Sequence, residues 1–370
     1  MKIRAAVLNE TRQPFVIEEL DLDPPRAGEV LVRLAACGVC HSDWHVATGA
    51  TPHPLPVVTG HEGAGVVEAV GDGVDEDDLR PGAHVVLSWA PSCGHCFYCV
   101  RDKPNLCDTY TAPIWAGTML DGSTRLRRGT GGQPVYSYCG TASFATHTVV
   151  PRASCVKVRD DVPLDRAALI GCAVATGVGA ATRTADVRPG DTVVVFGCGG
   201  VGLSVIQGAR LRGAGRIIAV DTMVEKIPVA IHFGATSLLM STDDVVGAVR
   251  YYTGGRGAEH VFDAVGIPSV QERALECVRP GGTLTIVGLA PSDSKTNLPG
   301  ASIARKEITI KGSYYGSCSP HRDFPMLADL YAAGKLDLDH MVTKRYPLDQ
   351  INEAFAEMLA GKTARSVILM

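Results

Sequence analysis

The sequence predicts an α/β protein in two parts, a β-rich domain followed by a doubly wound parallel sheet. Short β-branched runs bounded by Gly and Pro fill the first part. After about Gly171 the texture changes to strands alternating with helix-like stretches, and a glycine-rich turn joins one such strand to its helix. At 370 residues the chain suits two domains of about 100–200 residues each. With 46% hydrophobic residues it can bury a sizeable core.

In the first part, 29–34, 65–70 and 83–87 read as strands, separated by turn signals at Pro24-Pro25, Ala27-Gly28 and Pro81-Gly82. This favours a small barrel or sandwich. In the second part, 192–196, 217–220, 260–265, 283–287 and 307–311 read as strands, with an apolar helix near 203–211. The tail has helical periodicity at 324–333 and 348–359 and then a strand at 365–369, and is expected to pack back onto the first domain. A net charge of −4 gives no case for nucleic acid or an anionic membrane as partner. No run approaches the ~18 apolar residues of a membrane span.

Cys93, Cys96, Cys99 and Cys107 stand at a tight spacing. Four thiolates packed that closely most often close around one tetrahedral zinc with no open position, which does no chemistry. Two disulfides or an iron–sulfur cluster would use the same atoms. The N-terminal apolar run is too short for a secretory leader, which disfavours the disulfides. The last gap in the motif does not fit the compact ferredoxin run, which disfavours the cluster. Twelve cysteines without a leader suit a reducing compartment, and the expected location is the cytoplasm.

Gly197-Cys-Gly199-Gly200-Val201-Gly202 fits G-x-G-x-x-G between a strand and a helix, and Asp221 follows 19 residues after Gly202 at the end of the next strand. The first glycine allows the tight turn, the second lets a pyrophosphate approach the backbone, and the third brings helix and strand together. The helix N-terminus offers free N–H groups to phosphates. Asp221 would accept both adenosine ribose hydroxyls and repel a 2′-phosphate, so NAD is expected over NADP.

Three scattered residues, Cys40, His61 and Cys172, are candidates for a second metal. Gly38-Val-Cys40-His41-Ser42-Asp43-Trp44-His45 crowds a thiol, a hydroxyl, a carboxylate and imidazoles together. Gly60-His61-Glu62-Gly63 sets a histidine and a carboxylate between glycines, and Gly171-Cys172 lies where the two textures meet.

With these segments, the four-cysteine lobe, Gly171-Cys172-Ala-Val-Ala-Thr176-Gly177, the Gly197–Gly202 turn and Arg365 in one order, the chain resembles the zinc-dependent alcohol dehydrogenases of the medium-chain family over nearly its whole length. The resemblance implies a GroES-like catalytic domain (1–174), a Rossmann domain (175–315) and a segment (316–370) returning to the catalytic domain. It implies two zinc ions per chain. One is structural, at the four cysteines, and one is catalytic, held by Cys40, His61 and Cys172 with a fourth position open. It also implies reversible hydride transfer between a primary alcohol and NAD.

By the same resemblance Ser42 accepts the alcohol proton, which reaches His45 through the cofactor ribose. Asp43 fixes the outer nitrogen of His61. Glu62 sits behind the metal, either exchanging with a ligand or serving as a structural carboxylate. Thr176, Lys226, Arg365 and His41 join the glycine turn and Asp221 in holding the cofactor, His41 standing where many relatives carry arginine. The implied pocket is Trp89, Tyr138, Cys139, Leu289 and Tyr314, suited to apolar or aromatic alcohols. The long insertion between Cys107 and Gly140 matches the dimeric liver-type branch and implies a homodimer extended through the sixth strand. A sister branch oxidises thiol adducts of formaldehyde. Against its glutathione form, the loop 48–55 has no acid and Thr111 stands where an arginine would. A metal-free binding protein on the same fold is the remaining alternative.

Overall fold

The structure is a computed structural model that describes residues 1–361 and 363–370, with the side chains of all of these except Glu76 and Asp78. The chain forms two compact units, Met1–Cys172 with Ser319–Met370, and Ala173–Cys318. The boundaries lie within three residues of those expected at 174/175 and 315/316.

The first unit opens with β1 (Lys2–Leu8), β2 (Val16–Leu22) and β3 (Glu29–Gly38), followed by the helix His41–Thr48. Then come β4 (Val57–Val58), β5 (Gly63–Val70), β6 (His84–Leu87), β7 (Leu126–Arg128), β8 (Gln133–Ser137), β9 (His147–Pro151) and β10 (Cys155–Lys157). Among the described residues β1-β2-β7-β8-β4 close into a barrel. Ile3, Val7, Leu20, Val58, Leu126 and Val135 fill it. A second core of Val30, Val32, Leu34, Val67, Val85 and Leu87 lies on the sheet that contains β3, β5 and β6.

One buried ion pair ties the barrel to that sheet. The Arg125 guanidinium grips both oxygens of Glu29, with Nε at 2.8 Å from Oε2, and its Nη2 lies 3.0 Å from Asp121. Both partners are buried, so the two parallel hydrogen bonds supply what water would otherwise provide.

The second unit carries β11 (Thr192–Phe196), β12 (Arg216–Asp221), β13 (Ser237–Met240), β14 (Ala258–Asp263), β15 (Val278–Ile286) and β16 (Thr309–Gly312). They make a parallel sheet in the order β13-β12-β11-β14-β15-β16. The helix Gly200–Leu211 starts three residues before the expected 203 and is buried along most of its length. Gly177 and Gly208 let it lie close to the helix Ala173–Gly179: a Cβ at 177 would come within 2.4 Å of Ser204 Cβ, and one at 208 within 2.9 Å of Val178 Cα.

The tail returns to the first unit. The helix Pro320–Ala332, β17 (Val342–Pro347), the helix Ile351–Leu359 and β18 (Arg365–Leu369) complete it. β18 inserts between β3 and β17, antiparallel to β3 through Val367↔Gly38 and parallel to β17. The helix expected from 348 begins instead as a 3₁₀ turn at Leu348–Gln350. No single helix among the described residues is long and apolar enough to cross a membrane.

Candidate metal centres and cofactor turn

The four-cysteine segment forms two short 3₁₀ turns, Cys99–Arg101 and Pro104–Leu106, that fold the thiols together. Their ligand atoms lie within 4.8 Å of one another. Cys93 Sγ is 4.0 Å from Cys99 Sγ, and Cys96 Sγ is 3.8 Å from Cys107 Sγ. Those separations are far beyond an S–S bond of ~2.05 Å. They match the ~3.8 Å edge of a tetrahedron with Zn–S near 2.3 Å. Backbone N–H groups already point at sulfur, Cys96 to Cys93 at 3.3 Å and Cys93 to Cys107 at 3.4 Å. Against its desolvation cost, hydrogen bonds from Thr109 and from the backbone at His95 and Cys96 bring the Cys93 thiol down to about 6, while burial pushes Cys99 up to about 12. The site therefore presents thiolate readily at one corner and gives up a proton on metal binding at another.

The second cluster is Cys40, His61, Glu62 and Cys172, all buried, each with a ligand atom within 4.8 Å of the others. Cys40 leaves the end of β3 in extended backbone (φ −128°, ψ 149°) as the cap of the helix His41–Thr48. That helix turns Asp43 inward, where it is fully buried. Asp43 Oδ1 accepts from Gly60 N–H at 2.8 Å and lies 3.1 Å from His61 Nδ1. A proton on Nδ1 toward the carboxylate leaves the Nε2 lone pair for a metal. Gly60 has φ +91°, and a Cβ there would meet Phe144 N at 2.5 Å, so only glycine makes this turn. Cys172 follows the 3₁₀ turn Ala168–Gly171.

The electrostatics suit a metal. The Cys172 thiol donates toward Cys40 and, with His61 beside it, holds the Cys40 thiol well below its usual range. Burial would lower His61, but the Asp43 carboxylate and the Cys40 thiolate override it and raise the imidazole well above its ordinary value, so without a metal the ring holds a second proton that a metal would displace from Nε2. Two sulfurs and an imidazole are the soft and borderline donors that zinc prefers. Glu62 bonds the Arg365 guanidinium through Oε1, and its Oε2 has no partner. Gly38 makes room for that carboxylate, since a Cβ there would fall 2.0 Å from Oε2. The room that Gly38 leaves for Glu62, and the Glu62–Arg365 pair, carry no sequence signal. Arg365, expected on the cofactor, stands against Glu62 in the first unit.

The other expected residues of this unit gather unevenly. Ser42 Oγ lies 3.7 Å from Cys40 Sγ. His45 is half-buried, and His41 is exposed. The His61 ring meets Tyr138 edge-on at 5.7 Å and Trp89 at 6.4 Å. Tyr138 in turn meets His53 at 5.5 Å and Trp115 at 6.3 Å, two aromatic neighbours with no local sequence signal. Cys139 is buried beside Tyr138, and burial pushes its thiol up to about 12.

In the second unit Gly197 takes φ +91°. Gly199 has open space where a Cβ would be, and a Cβ at Gly202 would come 1.7 Å from the Gly197 carbonyl oxygen. These are the three glycine roles of a pyrophosphate-binding turn. Gly200 and Val201 open the helix behind it. Asp221 ends β12, where it accepts from Cys198 N–H at 2.7 Å and Met223 N–H at 3.0 Å, with Lys226 Nζ 3.6 Å away. The carboxylate thus braces the glycine turn itself, a role the ribose expectation did not include. Thr176 is buried in the helix Ala173–Gly179, Tyr314 is half-buried and Leu289 is exposed.

Comparison with known proteins covers both units. Residues 26–160 match the family model described as alcohol dehydrogenase GroES-like domain, and residues 200–333 match that of zinc-binding dehydrogenase. The chain is 42% identical over 372 residues to an NDMA-dependent alcohol dehydrogenase of Amycolatopsis methanolica, covering 100% of this chain and 99% of the relative. It is 40% identical over 378 residues to an S-(hydroxymethyl)glutathione dehydrogenase of Paracoccus denitrificans, covering 100% of both. Among solved structures, the benzyl alcohol dehydrogenase of Acinetobacter calcoaceticus superposes with a TM-score of 0.94 at 32% identity, over 100% of this chain and 99% of that one.

Proposed function

The chain belongs to the zinc-binding alcohol dehydrogenase family, and on that premise we propose that it interconverts a primary, apolar or aromatic alcohol and its aldehyde with NAD as hydride acceptor. The observation that carries the reading is the buried set Cys40, His61 and Cys172, with Asp43 fixing the imidazole and Trp89 and Tyr138 edge-on to it. Zinc held there supplies a Lewis acid that lowers the pKa of an alcohol toward neutrality. Ser42, 3.7 Å from Cys40 Sγ, would accept the hydroxyl proton, and His45 would release it to solvent. The aromatic rings exclude water and favour flat apolar substrates. The four-cysteine zinc stiffens its lobe.

Cofactor choice rests on Asp221. Like charges ~4 Å apart at an effective dielectric near 20 repel by about 4 kcal/mol, so a 2′-phosphate is poorly tolerated there. Asp221→Ser is expected to improve NADPH binding relative to NADH by at least about tenfold. Fluorescence titrations with both cofactors measure it, and an Asp221→Ser protein that still rejected NADPH would remove the ribose assignment.

A second reading, oxidation of a thiol adduct of formaldehyde, draws on the Paracoccus relative's name. The acid-free loop 48–55 and Thr111 argue against glutathione and leave another small thiol open. A substrate panel separates the two. NADH formation would be followed with benzyl alcohol, linear and secondary alcohols, and formaldehyde with and without thiol. Benzyl and linear primary alcohols are expected to lead. Formaldehyde oxidation appearing only with thiol, at rates above any alcohol, would move the assignment to the second reading. We further propose a cytoplasmic homodimer, for which the edge position of β16 leaves a strand to pair across a two-fold axis.

A further inference from the structure

We propose that the buried segment 138–144 acts as a positioning element for the metal ligand His61, with the Thr141 hydroxyl as its key contact. The proposal rests on the reading that Cys40, His61 and Cys172 hold the catalytic metal.

The back of the segment clamps the peptide that leads into His61. Gly60 C=O accepts from Ser143 N–H at 2.8 Å and from the Thr141 hydroxyl at 3.0 Å. Thr59 C=O accepts from Phe144 N–H at 3.0 Å. The Gly60 N–H is taken by Asp43, which also holds the His61 ring. The peptide before the ligand is therefore fixed at both its donor and its acceptor. The front of the same segment carries Tyr138, edge-on to the His61 ring, and Cys139.

The segment takes an unusual shape to do both. Cys139 (φ 53°), Gly140 (φ 66°) and Ala142 (φ 46°) all lie in the left-handed region, which costs on the order of 1 kcal/mol or more at each non-glycine residue. Such conformations persist only where surroundings over-determine them. Here the Thr141 N–H donates to Tyr138 C=O at 3.1 Å, the hydroxyl shares its one proton between that carbonyl at 3.1 Å and Gly60 C=O, and Thr148 Oγ1 donates to Thr141 C=O at 2.7 Å. Thr141 thus links the wall facing the substrate to the peptide behind the ligand. A shift of either should move the other.

The test uses the full-length protein loaded with cobalt(II) in place of zinc at the three-ligand site. Its visible ligand-field bands report ligand geometry without turnover. The rate of zinc release to a chelator is read beside it at both sites. Thr141→Val removes the hydroxyl at nearly constant volume, and Thr141→Ser keeps it. The valine protein is expected to show displaced cobalt bands and release of the catalytic zinc faster by about 10–100-fold, with release from the four-cysteine site unchanged. The serine protein is expected to match the native one. Unchanged bands and release in Thr141→Val would overturn the proposal, as would equal acceleration at both sites, which marks general loosening. Should Thr141→Val not fold, Thr148→Val frees only the Thr141 carbonyl, and the same selective change is required of it. A native protein with no cobalt bands from the three-ligand site would overturn the metal reading, and the positioning role with it.

Discussion

A Cys40→Ser protein is expected to hold one zinc per chain against an expected two for the native protein, and to oxidise alcohols about 10³-fold or more slowly. The serine hydroxyl is a hard, protonated donor in place of a thiolate. Lewis-acid stabilisation is worth several kcal/mol, and ~1.36 kcal/mol corresponds to tenfold in rate. Elemental analysis and turnover with benzyl alcohol, measured on one preparation, check both halves. The paired control is Cys99→Ser, which should lose the other zinc and lower stability before it lowers turnover of the folded fraction. Two zinc ions and native turnover in Cys40→Ser would exclude Cys40 as a ligand.

Arg365→Met should destabilise the first unit by about 3–5 kcal/mol, the cost of leaving one member of a buried ion pair alone. Two thiolates and a neutral imidazole cancel the charge of a zinc ion, so the metal offers Glu62 no net compensation. The Arg365 guanidinium is the cation that does. Trp44, Trp89 and Trp115, the three tryptophans of the chain, all lie in the first unit. Tryptophan fluorescence in urea therefore follows that unit by itself. Glu62→Gln combined with Arg365→Met should recover most of the loss, because the stranded charge is gone. A single-variant loss below about 1 kcal/mol, the range of exposed pairs, would show that water reaches Glu62.

Sequence separation decides how much of this was legible. The glycine turn and the four-cysteine lobe each lie within about fifteen residues, and local spacing alone predicts their shape. Cys40, His61 and Cys172 were found as a set by resemblance, since no spacing rule joins them. Glu62 and Arg365 are 303 residues apart and carry no common pattern. Trp89, Tyr138 and Cys139 do surround His61, whereas the contacts of Tyr138 with His53 and Trp115 arise only from the folding of distant loops. The expected strands omit β1, β2, β4, β7, β8, β9, β10, β13 and β17, some of them for simple reasons. β4 is two residues long, β13 (Ser237–Met240) contains no β-branched residue, and β15 begins at Val278, five residues before the expected 283, and runs through the turn-favouring pair Pro280-Gly281. The helix His41–Thr48 shows no apolar period because its buried side mixes the Asp43 carboxylate with Val46 and Ala47.

The insertion of β18 beside β3 also sets a clock on the metal centre. A ribosome adding ~5–20 residues per second needs about 15–60 s to travel the 303 residues from Glu62 to Arg365. Through that interval only one edge of Ala36–Cys37 is paired, to β5 through Ala36↔Ala64 and Cys37↔Gly63, while the edge that takes β18 is open and the Glu62 carboxylate has no guanidinium. Cys40, His61 and Cys172 have all been synthesised by then, as reduced thiols and an imidazole behind an open edge. The nascent chain can take up a metal early, but the wall behind the metal waits until Arg365 and β18 have been made. Limits on free zinc or on chaperone cover should therefore be felt first by chains still on the ribosome.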